Sequence, residues 1–388
     1  MIVRQFLQWM RTAPAGERAE ATGALARAYL HSDLAKDDRA AAEGAMIMLL
    51  DDPSPLVRRA LAEALAGSAD APHAVIHALA SDHADIATLV LARSPLLIDA
   101  ELVDVVASGN CELQAAIASR VPLQSAVAAA LAEVGALEAC LVALENPDAA
   151  FAPASFDRLV TRFGRIGAVR EAMFARADLP MAARHVLVGM LSSLLADFVV
   201  DREWLTRNRA DQVVRDARDR GTVTIAALGP DPDTRPLVRH LRASGQLTAG
   251  LVLRALLSGH VAMFEEVLAE LSGLPLARVQ ALVHGRGAAG FRAVYEKAGM
   301  PASVFPAFRE AVTALHEASS EDAVSSRLKR QVVERVLAQC EHADIGDIEP
   351  LLILLRRYAA EAAREDARAY CEELVADERL AERGRAAA

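Results

Sequence analysis

The stretch Asp51-Asp52-Pro53-Ser54-Pro55-Leu56-Val57-Arg58-Arg59-Ala60-Leu61-Ala62-Glu63-Ala64-Leu65 holds a helix stop, a helix start and an apolar stripe in succession. Its Asp-Pro-Ser-Pro cluster ends whatever precedes it, because proline lacks a backbone N–H and restricts the residue before it. Pro55 suits the first turn of a new helix, where an N–H has no partner in any case. Beyond it Leu56, Val57, Ala60, Leu61, Ala64 and Leu65 recur three and four apart, so one face of a helix is apolar.

A related turn followed by an apolar helix recurs at Ser81-Asp82-His83-Ala84-Asp85-Ile86 and at Ser108-Gly109-Asn110-Cys111-Glu112-Leu113. Leu56, Ile86 and Leu113 are spaced by 30 and 27 residues, with second helices between them at Ala71 to Ala80 and Ile98 to Ala107. Short helices at such a period cannot bury their faces alone, so stacking of neighbouring hairpins is expected. The period is shorter than the roughly 40 to 47 residues of standard HEAT or armadillo repeats. Leu56, Leu61, Leu65, Ile86, Leu89, Leu113 and Ile117 are the expected core.

Three corners follow: Asp178-Leu179-Pro180-Met181-Ala182, Gly273-Leu274-Pro275-Leu276-Ala277 and Gly299-Met300-Pro301-Ala302-Ser303. In the two that open on glycine, that residue tolerates the left-handed turn after one helix; in all three, proline starts the next. Longer helical patterns span about Glu321 to Cys340 and Ile348 to Asp377, and the tail Glu382 to Ala388 is expected to fray. Gly221, after the arginine-rich run Trp204 to Arg220, marks the expected boundary. The chain thus reads as all-α: irregular HEAT-like helical-hairpin repeats (an α-solenoid) in 1–220, with their core at about 51–150, then a C-terminal helical domain, 221–388.

Leu49-Leu50-Asp51-Asp52-Pro53-Ser54-Pro55-Leu56-Val57-Arg58, Leu91-Ala92-Arg93-Ser94-Pro95-Leu96-Leu97, Leu251 to Gly259 and Phe264-Glu265-Glu266-Val267-Leu268-Ala269 together resemble domain-of-unknown-function family 2336, found in alphaproteobacteria. The resemblance covers most of the chain. It implies an all-helical, HEAT-like bacterial protein and supplies no catalytic residue.

Of 388 residues 53% are apolar and only 4% aromatic, enough for real cores and against disorder. Residues 51–150 carry 4 basic and 14 acidic groups, the whole net charge of −10, whereas 151–220 carry 12 and 9. A nucleic-acid partner is excluded from the former. Uncharged stretches such as Val121 to Ala132 fall short of the roughly 20 residues that span a bilayer, so no membrane helix and no membrane partner are expected. The first ten residues carry no secretory pattern. Cys111, Cys140, Cys340 and Cys371 form no CxxC pair, which favours a reducing cytoplasm.

Arg162-Phe163-Gly164-Arg165-Ile166-Gly167, with Arg158, Arg170 and Arg176 nearby, is the candidate small-anion site; Arg162, Arg165 and Arg170 would set guanidinium forks beside free amides at a helix start. A solvated helix face is the ordinary alternative. The run from Asp201 to Arg220 alternates signs at helical spacing, which fits intrahelical pairing with Trp204 as a core anchor. Gly285-Arg286-Gly287-Ala288-Ala289-Gly290 matches GxGxxG, but a helical pattern precedes it where dinucleotide binding needs a strand. His73, His77, Asp82, His83 and Asp85 lack a tight metal-ligand spacing. Neither GxSxG, a Walker loop nor HExxH occurs, so no catalytic residue, cofactor or metal is expected. The leading expectation is a cytoplasmic, non-enzymatic scaffold or adaptor that binds a protein, one with a basic surface if the acids Asp82, Asp85, Glu101 and Asp104 face it. A HEAT-like nucleic-acid or DNA-repair protein using arginines 158–220, and a small-anion sensor, are the alternatives.

Overall fold

Pro55 opens a helix that runs to Leu65, and Val57, Leu61 and Leu65 on its inner face are fully buried. The stripe is narrower than the sequence implies: Leu56 is 55% exposed. In the first turn the inward direction is taken by Val57, and Leu56 points to the other side of the helix. Leu61, Leu65, Ile86 and Ile117 are core residues, while Leu89 and Leu113 are half-buried and pack against them.

The computed structural model describes residues 8–10, 12–229, 233–285, 288–317, 326–341 and 349–386. Among these there is no strand; a lone parallel bridge joins Leu123 and Ala149. The protein is all-helical. The chain divides into two units, Met1–Ala183 and Arg184–Ala388.

The first unit contains α1 (Ala15–His31), α2 (Lys36–Leu49), α3 (Pro55–Leu65), α4 (His73–Ala80), α5 (Ala84–Arg93), α6 (Asp99–Ala107), α7 (Cys111–Ala118), α8 (Ser125–Val134), α9 (Leu137–Glu145), α10 (Pro153–Phe163) and α11 (Gly167–Ala175). Packing skips a helix. The odd-numbered helices α1 to α11 each lie on the next odd one, and α2 packs on α4, α6 on α8 and α8 on α10. Two rows of short helices therefore share one core, which runs from Ala26 through Leu61, Val90 and Leu131 to Ala149.

The second unit holds most of α12 (Met181–Asp201), then α13 (Arg207–Leu228), α14 (Thr234–Ala243), α15 (Ala249–Leu257), α16 (Val261–Ser272), α17 (Leu276–Val283), α18 (Ala288–Lys297), α19 (Phe305–Glu317), α20 (Ser326–Glu341) and α21 (Glu349–Ala386). Its centre is an aromatic cluster. Phe264 stacks on Phe308 with ring centroids 5.5 Å apart, and Tyr295 stands 5.0 Å from Phe305 and 5.4 Å from Phe308. The corners at Gly273 and Gly299 have φ of 70° and 69°, the left-handed geometry read from their sequence.

Two expectations are corrected. Gly221 is no boundary: it lies inside α13, where its bare Cα comes close to Val188 on α12, and the division falls after Ala183. The arginine-rich helix continues to Leu228 because Thr222, Val223 and Ile225 have buried positions to occupy. One helix, Met181–Asp201, is long and apolar enough to cross a membrane by length and composition. Arg184 and Asp197 interrupt it, so it shows no long uncharged run. Arg286, Gly287 and residues 321–325, 342–348, 387 and 388, on which parts of the glycine-run and C-terminal readings rest, lie outside the described residues.

Candidate functional site

A helix C-terminus leaves backbone carbonyls without intrahelical donors at the negative end of the helix dipole, so a guanidinium fork suits it. The first unit uses this device repeatedly. Arg120 donates to Leu91 O and Ser94 O at 2.5 and 2.8 Å, at the end of α5. Arg162 donates to Ala132 O and Gly135 O at 2.8 and 2.7 Å, at the end of α8. Arg176 donates to Asn146 O and Ala149 O at 2.9 and 2.8 Å, just past α9, and to Asp178 at 2.8 Å. Asn146 itself donates to Ala118 O and Arg120 O at 3.0 and 2.7 Å.

Gly135 belongs to the same device. A Cβ there would stand 2.5 Å from Leu131 O, so only glycine leaves that carbonyl free to receive the buried Cys140 thiol at 3.3 Å. Burial pushes that thiol up to about 11, so it stays protonated at neutral pH and is no nucleophile.

This arrangement disassembles the proposed anion site. Arg162 is turned inward onto the end of α8, Arg170 donates to Gly164 O at 3.1 Å, and Arg165 is exposed. The sequence places three arginines close together, but α10 and α11 aim Arg162 and Arg170 at different carbonyls, and Arg165 lies exposed between the two helices. The arginine block 158–220 is likewise divided: Arg158 pairs with Glu133, Arg207 with Asp197, and Asp216 with Arg357. Trp204 is 66% exposed and anchors no core.

The acidic residues separate in the same way. Asp82 accepts both branches of Arg58 at 2.6 and 3.0 Å, with both side chains largely covered. Burial works to raise the Asp82 carboxyl, yet the Arg58 hydrogen bonds and the His83 amide hold it below the usual range. Glu101 accepts from the Ile98 amide at 3.0 Å and faces His77 at 3.3 Å. Asp85 and Asp104 are exposed. His73 and His77 stack at 6.4 Å, and among the described residues no three His, Cys, Asp or Glu side chains converge as a metal site.

Two features lie beyond what the sequence reading singled out. The first is an open groove of about 720 Å³ between α1 and α3. Gly16, Ala19, Gly23, Ala60 and Ala64 make its floor, and the exposed Leu56 stands in it. Glu20 and Arg27 line it from α1, and Arg59 and Glu63, 2.9 Å apart, from α3. Small residues facing each other across two helices are the available signal, but only knowledge that α1 packs on α3 reveals it. The second is a chain of polar groups in the other unit: Gln280 donates to the buried Glu265 at 2.8 Å, Glu265 also meets His284 Nε2, and His284 Nδ1 lies 2.5 Å from His316 Nε2. It joins α16, α17 and α19. Burial, and then the neighbouring His284, lower the pKa of His316.

What these features define is an all-helical protein whose first unit is tied together by side-chain-to-carbonyl bonds. The family described as an uncharacterised protein conserved in bacteria (DUF2336) matches residues 86–346, more than half of the chain, and the chain belongs to it. The stretch Leu49 to Arg58 precedes that match, whereas the stretches at 91–97, 251–259 and 264–269 fall within it. No curated protein and no solved structure matches the chain.

Proposed function

We propose that the chain is a helical-repeat scaffold whose first unit is a short HEAT-like solenoid that binds a protein segment and carries out no chemistry of its own. The observation that supports this most is one kind of tie with one reach along the sequence. Arg120, Arg162 and Arg176 each reach back 26 to 32 residues to close the previous helix of the same row, a reach close to the spacings of 30 and 27 read from the apolar stripes. A repeat that fastens itself to its predecessor gives a stiff frame, and stiff frames of stacked helices present long surfaces to partners.

The groove between α1 and α3 is the docking place on that frame. Its small-residue floor admits the ridge of a helix or an extended segment, Leu56 supplies an apolar contact, and the mixed rim orients the guest. The exposed Asp85 and Asp104 lie in the acidic block and favour a partner with a basic surface, mainly by speeding encounter.

The test is photo-crosslinking in the native cell from position 60, on the groove floor, and from the exposed position 171 on α11. A discrete protein adduct from position 60, absent from 171 and lost when Gly23→Met fills the groove, is expected. Gly23→Met suits the purpose because a side chain there meets only the flexible end of Arg27. Adducts that form equally from both positions, or adducts with nucleic acid, would overturn the reading.

A further inference from the structure

Helix α12 is apolar over most of its circumference, and in a water-soluble fold such a helix belongs in a core. Here only 22% of its apolar 18-residue window is buried. Met181, Ala183 and Leu187 at its start are covered. Further along the helix only Ala196 is, while Leu191, Leu194, Leu195 and Phe198 are 38 to 55% exposed. By the 3.6-residue period Leu191, Leu194 and Phe198 continue the line of Leu187 and lie on the opposite side of the helix from Ala196. The stripe is therefore continuous, buried at its root and bare beyond.

The turn after α12 extends this face. Glu203 takes a φ of 58°, a left-handed geometry that is uncommon for a residue with a side chain. With it, Trp204 N donates to Val199 O and Glu203 N to Val200 O, which folds Trp204 back so that its ring meets Phe198 edge-on at 5.8 Å. Trp204, Leu205 and Val213 at the start of α13 are also exposed. The result is a helical hairpin with a bare apolar seam and an aromatic pair at its tip.

We propose that this hairpin pairs with the same hairpin of a second copy of the chain. The intervals of the bare Leu191, Leu194 and Phe198, three then four, are those of a coiled-coil seam, which wants another helix rather than a flat surface. The flanking charges are self-complementary. Asp197, Asp201, Glu203 and Asp211 stand among Arg202, Arg207 and Arg209, so a two-fold partner meets both signs and no like-charged field. An anionic bilayer meets four carboxylates at the tip and gains nothing from three arginines, one of them already bound to Asp197 at 2.6 Å. Two hairpins joined along this seam make a four-helix arrangement that covers the leucines and Trp204. This pairing lies in the second unit and is independent of the groove reading.

The test is analytical ultracentrifugation of the full chain over a range of concentrations, together with flotation on vesicles of mixed zwitterionic and anionic lipid. Twice 41.3 kDa is expected, falling to 41.3 kDa for Leu194→Glu combined with Phe198→Glu, at unchanged helicity. As a readout that needs no disruptive variant, Trp204 emission in a Trp9→Phe background should shift to shorter wavelength as concentration rises. A single-chain mass at every concentration with no Trp204 shift overturns the proposal. So does a monomer that floats with the vesicles, which makes the bilayer the occupant.

Discussion

In the first unit Arg120, Arg162 and Arg176 tie helices together through backbone carbonyls, beside carboxylate pairs such as Arg58 with Asp82, whereas the arginines that join helices in the second unit do so mainly through carboxylates. Arg120, Arg162 and Arg176 close helix ends. Arg239 and Arg242 share Glu270, Arg335 joins Glu310 and Glu317, and Arg254 pairs with Glu361 at 2.6 Å. The difference matters because exposed ion pairs such as Arg335 with Glu317 contribute about 0 to 1 kcal/mol and tolerate rearrangement, whereas a fork on two or three fixed carbonyls has one geometry. In the first unit such forks tie each of these helix ends to a later segment of the chain. The second depends on its aromatic centre and leaves a hairpin uncovered.

Substitutions in the first unit sharpen this contrast most. Leu61→Ala empties a fully buried site and should lower unfolding free energy by about 2 to 5 kcal/mol, while Leu56→Ala, on the exposed side of the same helix, should cost under about 1 kcal/mol. Denaturant melts of the two variants check the pair. Equal losses would mean that the register of α3 is wrong.

The second unit supplies a pH test. His185 is 2% exposed and, among the described residues, neither ring nitrogen has a hydrogen-bond partner. Burial, then the nearby His240 and Arg218, lowers its pKa to about 4. The neutral ring is the folded form, so its contribution is complete above the unfolded value near 6.5 and is lost as pH falls from there toward 4. The loss amounts to about 3 kcal/mol at full protonation. His185→Phe should flatten that part of the stability-against-pH curve, as measured by urea melts between pH 7 and 4. A curve unchanged by the substitution assigns the acid sensitivity elsewhere.

Smaller again is Arg176→Met, which keeps the stem and removes the fork. Losing charged bonds to Asn146 O and Ala149 O should cost about 2 kcal/mol, whereas Arg165→Met, exposed, should cost almost nothing. Thermal melts of both variants decide whether the clamp or mere positive charge matters.

The helices were legible because their signals are local. Pro55 starts α3, Gly273 and Gly299 turn corners, and Leu61, Ile86 and Ile117 repeat at helical intervals. Leu56 was misassigned because at the first turn a stripe two residues wide leaves its inward member undecided. The clamps were illegible for a different reason: Arg162 looks the same in sequence whether its fork meets a phosphate or the carbonyls of residues 132 and 135. Asp82 likewise reads as a free acid until Arg58, 24 residues away, folds onto it. Trp204 reads as a core anchor from the alternating charges around it, and only the left-handed Glu203 shows it turned outward.

The contrast between a stitched unit and an uncovered one is tested most directly by amide hydrogen exchange of the full chain at low and at high protein concentration. Residues 84–175 should be slow and insensitive to concentration, since their bonds are internal. Residues 190–213 should exchange rapidly when dilute and become protected when concentrated, as the seam of α12 and α13 is covered. Exchange of 190–213 that is slow in dilute solution, or that is the same at both concentrations, would contradict the account.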